Sequence, residues 1–109
     1  MRIMVLLTDK RSINTIIDKI SRKDKDEQYI IVTDYDVVRE VGRSVYRQFN
    51  KNVEIYIFKN NYPEENALKI MIHNYPDKVL DCDPLNKLYY LKELMKNTLI
   101  DMVPCSDPV

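Results

Sequence analysis

Short apolar runs alternate with amphipathic stripes along this chain, and that alternation restricts its fold more than any other feature. Tyr29-Ile30-Ile31-Val32 and Val53-Glu54-Ile55-Tyr56-Ile57-Phe58 are runs of strand length. Between them Val38, Val41, Val45 and Phe49 recur at helical spacing, the pattern of a helix laid against a sheet. Gly42, the only glycine of the chain, falls in the middle of that stripe. A glycine inside a helix costs up to about 1 kcal/mol relative to alanine, which asks for a reason such as the close approach of another backbone.

The same unit recurs on either side. Arg2 to Leu7 reads as a strand covered on both faces. Ser12 offers an N-cap, and Ile13, Ile16, Ile17 and Ile20 form a helical stripe behind it. Thr33 and Asp36 have capping-box spacing at the start of the second helix. Pro63-Glu64-Glu65 suits a helix first turn. Leu68, Met71, Ile72 and Tyr75 continue it at helix spacing, while Leu68, Ile70 and Ile72 alternate as a strand would, so 63–75 stays open between the two. Lys78 to Asp81 is a short strand, and Asp83-Pro84 reads as a cap followed by the first helical residue. Leu85, Leu88, Leu91 and Met95 give the last helix its apolar face. Leu99 to Val103 is a final strand stopped by Pro104, and 105–109 is a tail.

This order of elements predicts one α/β domain over residues 1–104: a mostly parallel five-stranded sheet with helices on both faces. Right-handed crossovers leave two main arrangements, a flavodoxin-like order and a Rossmann-like order. The flavodoxin-like order, 2-1-3-4-5, is the first expectation. It places the ligand crevice between the loops after the first and third strands, Thr8 to Ser12 and Lys59 to Tyr62.

Composition excludes several classes. A chain of 109 residues holds one core. With 17 basic and 17 acidic residues it carries no net charge, so any nucleic-acid site must be a local patch. No apolar run approaches the roughly 20 residues needed to span a bilayer, so no membrane association is expected. The N-terminal run lacks a small-residue cleavage site and reads as a strand, which points to an intracellular, cytoplasmic protein. Cys82 and Cys105 are too few for a disulfide framework and are expected as thiols in an ordinary cytosol. One glycine excludes a P-loop and the glycine fingerprint of dinucleotide sites. One histidine, His73, and two distant cysteines exclude the usual zinc spacings.

Three groups of residues are candidates for chemistry. Lys10, Arg11 and Ser12 precede a helix N-terminus, where free N–H groups and the helix dipole favour a phosphate. Asp9 beside them opposes it. Arg39, Arg43 and Arg47 recur every fourth residue along the second helix. Arginine forks phosphate oxygens where lysine is a point charge. Asp36 and Glu40 stand three residues before Arg39 and Arg43 and compete for them. Asp9, Asp34 and Asp81 fall at carboxyl ends of strands, where converging carboxylates can hold Mg²⁺. Helix capping is the competing account, since Asp34 or Asp36 and Asp83 are placed for that work in any case. The pair Thr-Asp follows two apolar residues twice, at Thr8-Asp9 and Thr33-Asp34, each where a strand gives way to a helix.

The functional expectation is a small protein that binds a nucleotide or nucleic acid through basic residues without catalysis. A homodimer is expected, with Tyr90 and Leu94 or Gly42 at the interface. One alternative is a Mg²⁺-dependent phosphotransfer enzyme or hydrolase using the aspartates. Another is a protein–protein interaction module encoded by a virus or plasmid.

Overall fold

The computed structural model describes residues 1–21, 26–42, 53–59 and 63–105. In chain order the elements are β1 (Arg2–Leu7), a 3-10 turn (Lys10–Ser12), α1 (Ile13–Ser21), β2 (Gln28–Asp34), α2 (Tyr35–Val41), β3 (Val53–Phe58), α3 (Pro63–Asn74), β4 (Lys78–Cys82), α4 (Tyr89–Met95) and β5 (Asp101–Pro104). The five strands form one all-parallel sheet in the order β3-β2-β1-β4-β5. This is the Rossmann-like order, not the flavodoxin-like one placed first. The reversal of strand order therefore lies between β1 and β4, and the crevice expected beside the loop after β3 moves to the loop after β4.

The alternation of side chains along β1 divides the core into two layers. Ile3, Val5 and Leu7 pack with Ile13, Ile16 and Ile20 of α1 and Val38 of α2. Met4 and Leu6 face the other way, against Ala67 and Met71 of α3 and Leu88, Leu91 and Met95 on and beside α4. Burying each large aliphatic side chain contributes roughly 1.5–3 kcal/mol, and residues 3–7 of β1 are buried throughout. The segment 63–74 resolves as helix. Ala67 and Met71 take its inner face, while Tyr75, read as part of the stripe, is 74% exposed.

Helix ends differ from the sequence reading for definite reasons. Asp9, not Ser12, caps the turn into α1, its carboxylate accepting from the Arg11 N–H. Asp34 caps α2 by accepting from Val37 N–H at 2.9 Å, so the capping box assigned to Thr33 and Asp36 is displaced by one residue. Gly42 does not sit mid-helix. It ends α2 at φ 85°, ψ 147° with its N–H on the Val38 carbonyl, the left-handed position that favours glycine after a helix. Val45, Phe49, Arg43 and Arg47, placed on the same helix, lie outside the described residues. Asp83 does receive backbone N–H groups, from Lys87 and Leu88, but Asn86 at φ 54° interrupts the turn and α4 begins only at Tyr89. Leu85 is consequently 60% exposed. β5 is the shorter segment Asp101–Pro104, with Leu99 outside it and fully exposed.

The cysteines were expected as thiols, and the structure joins them. Leu80 pairs with Val103 across β4 and β5, so Cys82 and Cys105, each two residues further on, meet at the sheet end with their Cα atoms 4.9 Å apart.

Candidate functional site at the strand carboxyl ends

Among the described residues, the buried polar and charged side chains are Thr8, Asp9, Thr33, Asp34 and Asp83. All five stand at the carboxyl ends of the three central strands. Burying an ionised carboxylate is costly unless it is paired and hydrogen-bonded, and the rim shows how each is satisfied. Asp9 accepts from the Arg11 N–H and from Arg11 Nε at 2.9 Å. Asp34, whose side chain is wholly buried, takes the Val37 N–H on one oxygen and Lys87 Nζ at 3.2 Å on the other. Asp83 takes the Thr8 hydroxyl and the Lys87 N–H on Oδ1, and the Leu88 N–H on Oδ2. Lys92 completes it. Its ammonium lies 3.1 Å from Asp81 Oδ1 and 3.2 Å from Asp83 Oδ2, and it donates to the Asp83 carbonyl at 2.6 Å.

Burial pushes the Asp83 carboxyl up, but the Thr8 hydroxyl, the Leu88 N–H and the Lys92 ammonium together outweigh it. The group is held below its ordinary 3.8 and stays ionised. The rim is thus a set of carboxylates each matched to a cation or to backbone donors.

An open cleft of about 360 Å³ sits on this rim, lined by Arg11, Ser12 and Thr15 on one side and by 81–84, Pro104 and Cys105 on the other. It occupies the place where β1 and β4 part. The Arg11 side chain remains 70% exposed while Asp9 holds its Nε. Two further hollows lie elsewhere. One of about 530 Å³ runs between α4 and the β5 edge, beside Tyr89 and Lys96. A polar one of about 430 Å³ lies at the amino ends of the strands around Arg2, Glu27, Glu54 and His73.

The residues singled out by sequence divide accordingly. Arg11 and Ser12 line the rim cleft. Lys10 turns to Glu40 of α2 in an exposed ion pair, of a kind worth about 0–1 kcal/mol. Glu40, expected to compete for Arg43, is thus engaged by Lys10. Arg39 is exposed on α2. Asp9, Asp34 and Asp81 stand at the ends of the adjacent strands β1, β2 and β4; the 2-1-3-4-5 order would have set β4 apart from the other two. Each nevertheless engages its own cation. Among the described residues, no group of three His, Cys, Asp or Glu side chains stands close enough to hold a metal ion.

Lys87 and Lys92 are rim residues that the sequence reading missed; Thr8 was placed at the crevice, but its bond to Asp83 was not foreseen. Lys92 was the more accessible of the two lysines, since it lies four residues after Leu88 and so borders the buried stripe of α4.

No protein-family model matches this chain, and no curated protein or solved structure matches it significantly.

Proposed function

We propose that this protein binds a phosphate-bearing ligand of the nucleotide class in the rim cleft, as a binding rather than a catalytic protein. The observation that carries the reading is the position of an exposed arginine, anchored by Asp9, in an open cleft at the point where strand order reverses. The guanidinium supplies forked donors to phosphate. Ser12 and Thr15 add hydroxyls beside the first turn of α1. Across the cleft, Asp81 offers carboxylate oxygens suited to sugar hydroxyls. A volume of about 360 Å³ is at the small end of ligand pockets.

The pairing of Asp34 with Lys87, and of Asp81 and Asp83 with Lys92, supports this reading over a Mg²⁺ enzyme. Each of these carboxylates already touches an ammonium group, which a metal ion would have to displace. The nucleic-acid variant rests on Arg39, Arg43 and Arg47, of which only Arg39 belongs to the described residues. Two-fold association is part of the proposal. It is supported by Tyr90, 62% exposed on α4, beside the partly exposed Leu94.

The test is a titration of the isotope-labelled chain with ADP, followed by amide chemical shifts. The largest movements are expected at Arg11, Ser12, Thr15 and Asp83. No movement at millimolar ADP would end the nucleotide reading.

A further inference from the structure

The cleft has one wall that is covalently closed. Its lining on the β4–β5 side consists of Asp81, Cys82, Asp83, Pro84, Pro104 and Cys105, so every residue of that wall lies within two positions of a bridged cysteine. Beyond the β4–β5 ladder, which ends at Asp81 and Pro104, the backbone adds a hydrogen bond from the Cys105 N–H to the Asp81 carbonyl at 3.0 Å. β5 itself is a four-residue edge strand paired on one side alone, to β4. Short edge elements with few ladder bonds open at low free energy. The disulfide is therefore the covalent restraint, added to that ladder, that keeps the end of β5 against the end of β4.

The other end of the same restraint reaches the charge network. Asp83 follows Cys82 directly, and its carboxylate holds Thr8 and Lys92. The chain enclosed by the bridge, 83–104, carries both rim lysines, Lys87 and Lys92. A change at the sulfurs is transmitted to the rim through one peptide unit.

We propose that the Cys82–Cys105 pair is a redox control on the shape of the rim cleft: oxidised, it fixes the wall facing Arg11, and reduced by a dithiol, it releases that wall. The extension of this control to ligand affinity rests on the nucleotide reading above. A thiolate of the dithiol attacks Sγ of Cys105, the more exposed residue of the pair at 8% against 1% for Cys82. The S–S bond breaks and Cys82 leaves as a thiolate. The second thiol of the reductant then closes its own disulfide and expels the Cys105 thiolate. Two electrons pass from the dithiol to the protein, and two protons complete the pair of thiols. Redox state then biases ligand binding by the difference in affinity between the two forms, and in no other way.

The experiment compares the full chain, oxidised and after reduction with dithiothreitol, by amide hydrogen exchange and by ADP titration. Thiol counting confirms each state. Reduction is expected to speed exchange at Met102, Val103 and Cys105 and at Asp83 and Leu88, and to leave β1 and β2 protected. ADP affinity is expected to fall by at least about fivefold, the lower end of ordinary coupling between sites. The Cys82→Ala/Cys105→Ala double variant is expected to reproduce the reduced pattern, and reoxidation of the wild type to reverse it. Identical exchange at Asp83 and Leu88 in both states overturns the redox control, whether or not ADP binds. Absence of ADP binding with altered exchange removes the nucleotide reading and leaves the control standing. Equal ADP affinity in the two states, with altered exchange, overturns its extension to the ligand.

Discussion

Replacing Asp83 with asparagine keeps the side chain's shape and removes its charge, and the structure sets what that costs. Oδ1 accepts from the Thr8 hydroxyl and the Lys87 N–H, and Oδ2 from the Leu88 N–H, with Lys92 at 3.2 Å. An asparagine has one acceptor oxygen, so its NH₂ must face donors on the other side. At least one backbone N–H or the Lys92 ammonium loses its Asp83 side-chain acceptor in a site that is 2% exposed, Lys92 keeping Asp81 and the Asp83 carbonyl. Breaking a buried pair by removing one partner costs about 3–5 kcal/mol. That is a large part of the 5–15 kcal/mol typical of a domain. The pH dependence has a fixed sign. The folded-state pKa of Asp83 is lowered from 3.8, so its contribution is fully present above the unfolded value and is lost as pH falls through the folded value. Urea unfolding of the wild type and Asp83→Asn at neutral pH, and at steps from about pH 5 downward, measures both quantities. The stability gap is expected to be about 3–5 kcal/mol at neutral pH and to narrow below about pH 4. A gap under about 1 kcal/mol, the net worth of a single ordinary hydrogen bond, would refute the reasoning. So would a gap that stayed constant into acid.

Other substitutions test separate parts of the account. Gly42→Ala is expected to destabilise by about 1–3 kcal/mol, because φ 85°, ψ 147° excludes a Cβ at low cost. In an unbroken helix the same change would instead stabilise by up to about 1 kcal/mol, so the sign in a thermal melt decides. Opening the disulfide, which joins residues 23 apart, is expected to remove about 3 kcal/mol by loop entropy. The melting temperature should fall by roughly 12–24 °C on that basis, and a melt unchanged after confirmed reduction contradicts it. Asp34→Ala strips the cap of α2 and is expected to cost more than Asp34→Asn, which still accepts from Val37 N–H; equal losses in urea would show that the cap is unimportant.

The sequence pattern revealed the elements better than their neighbours. The isoleucine stripe of α1 allows one reading because its period fixes which face is buried, and the unbroken run of β1 because it is covered on both faces. Lateral order is another matter. Adding β3 beside β2 or beside β1 satisfies the same periodicities and the same crossover hand. A usable signal was Glu54, the second residue of β3, since a charge inside a strand fits an edge strand. β3 is indeed the edge, with Ile57 53% exposed. Gly42 misled because the valine stripe continues past it, although a lone glycine after a helical run is also a stop signal. The disulfide was hidden for a similar reason: spacing along the chain says little until Leu80 and Val103 are known to be partners. The Thr-Asp echo was legible as strand-to-helix punctuation, and Asp9 and Asp34 do cap the turns that follow. Its second consequence, a rim of buried carboxylates, needed β1, β2 and β4 to be adjacent.

The central claim is that the rim cleft, rather than the surface of α2, takes the ligand. Isothermal titration with ADP of the wild type, Arg11→Ala and Arg39→Ala tests it most directly, with circular dichroism to confirm that each variant is folded. Arg11→Ala is expected to weaken binding by tenfold or more, the loss of one charge-assisted hydrogen bond of about 1.5–3 kcal/mol, while Arg39→Ala leaves it unchanged. Binding that survives Arg11→Ala and falls with Arg39→Ala would contradict the account and move the site to the surface of α2 around Arg39.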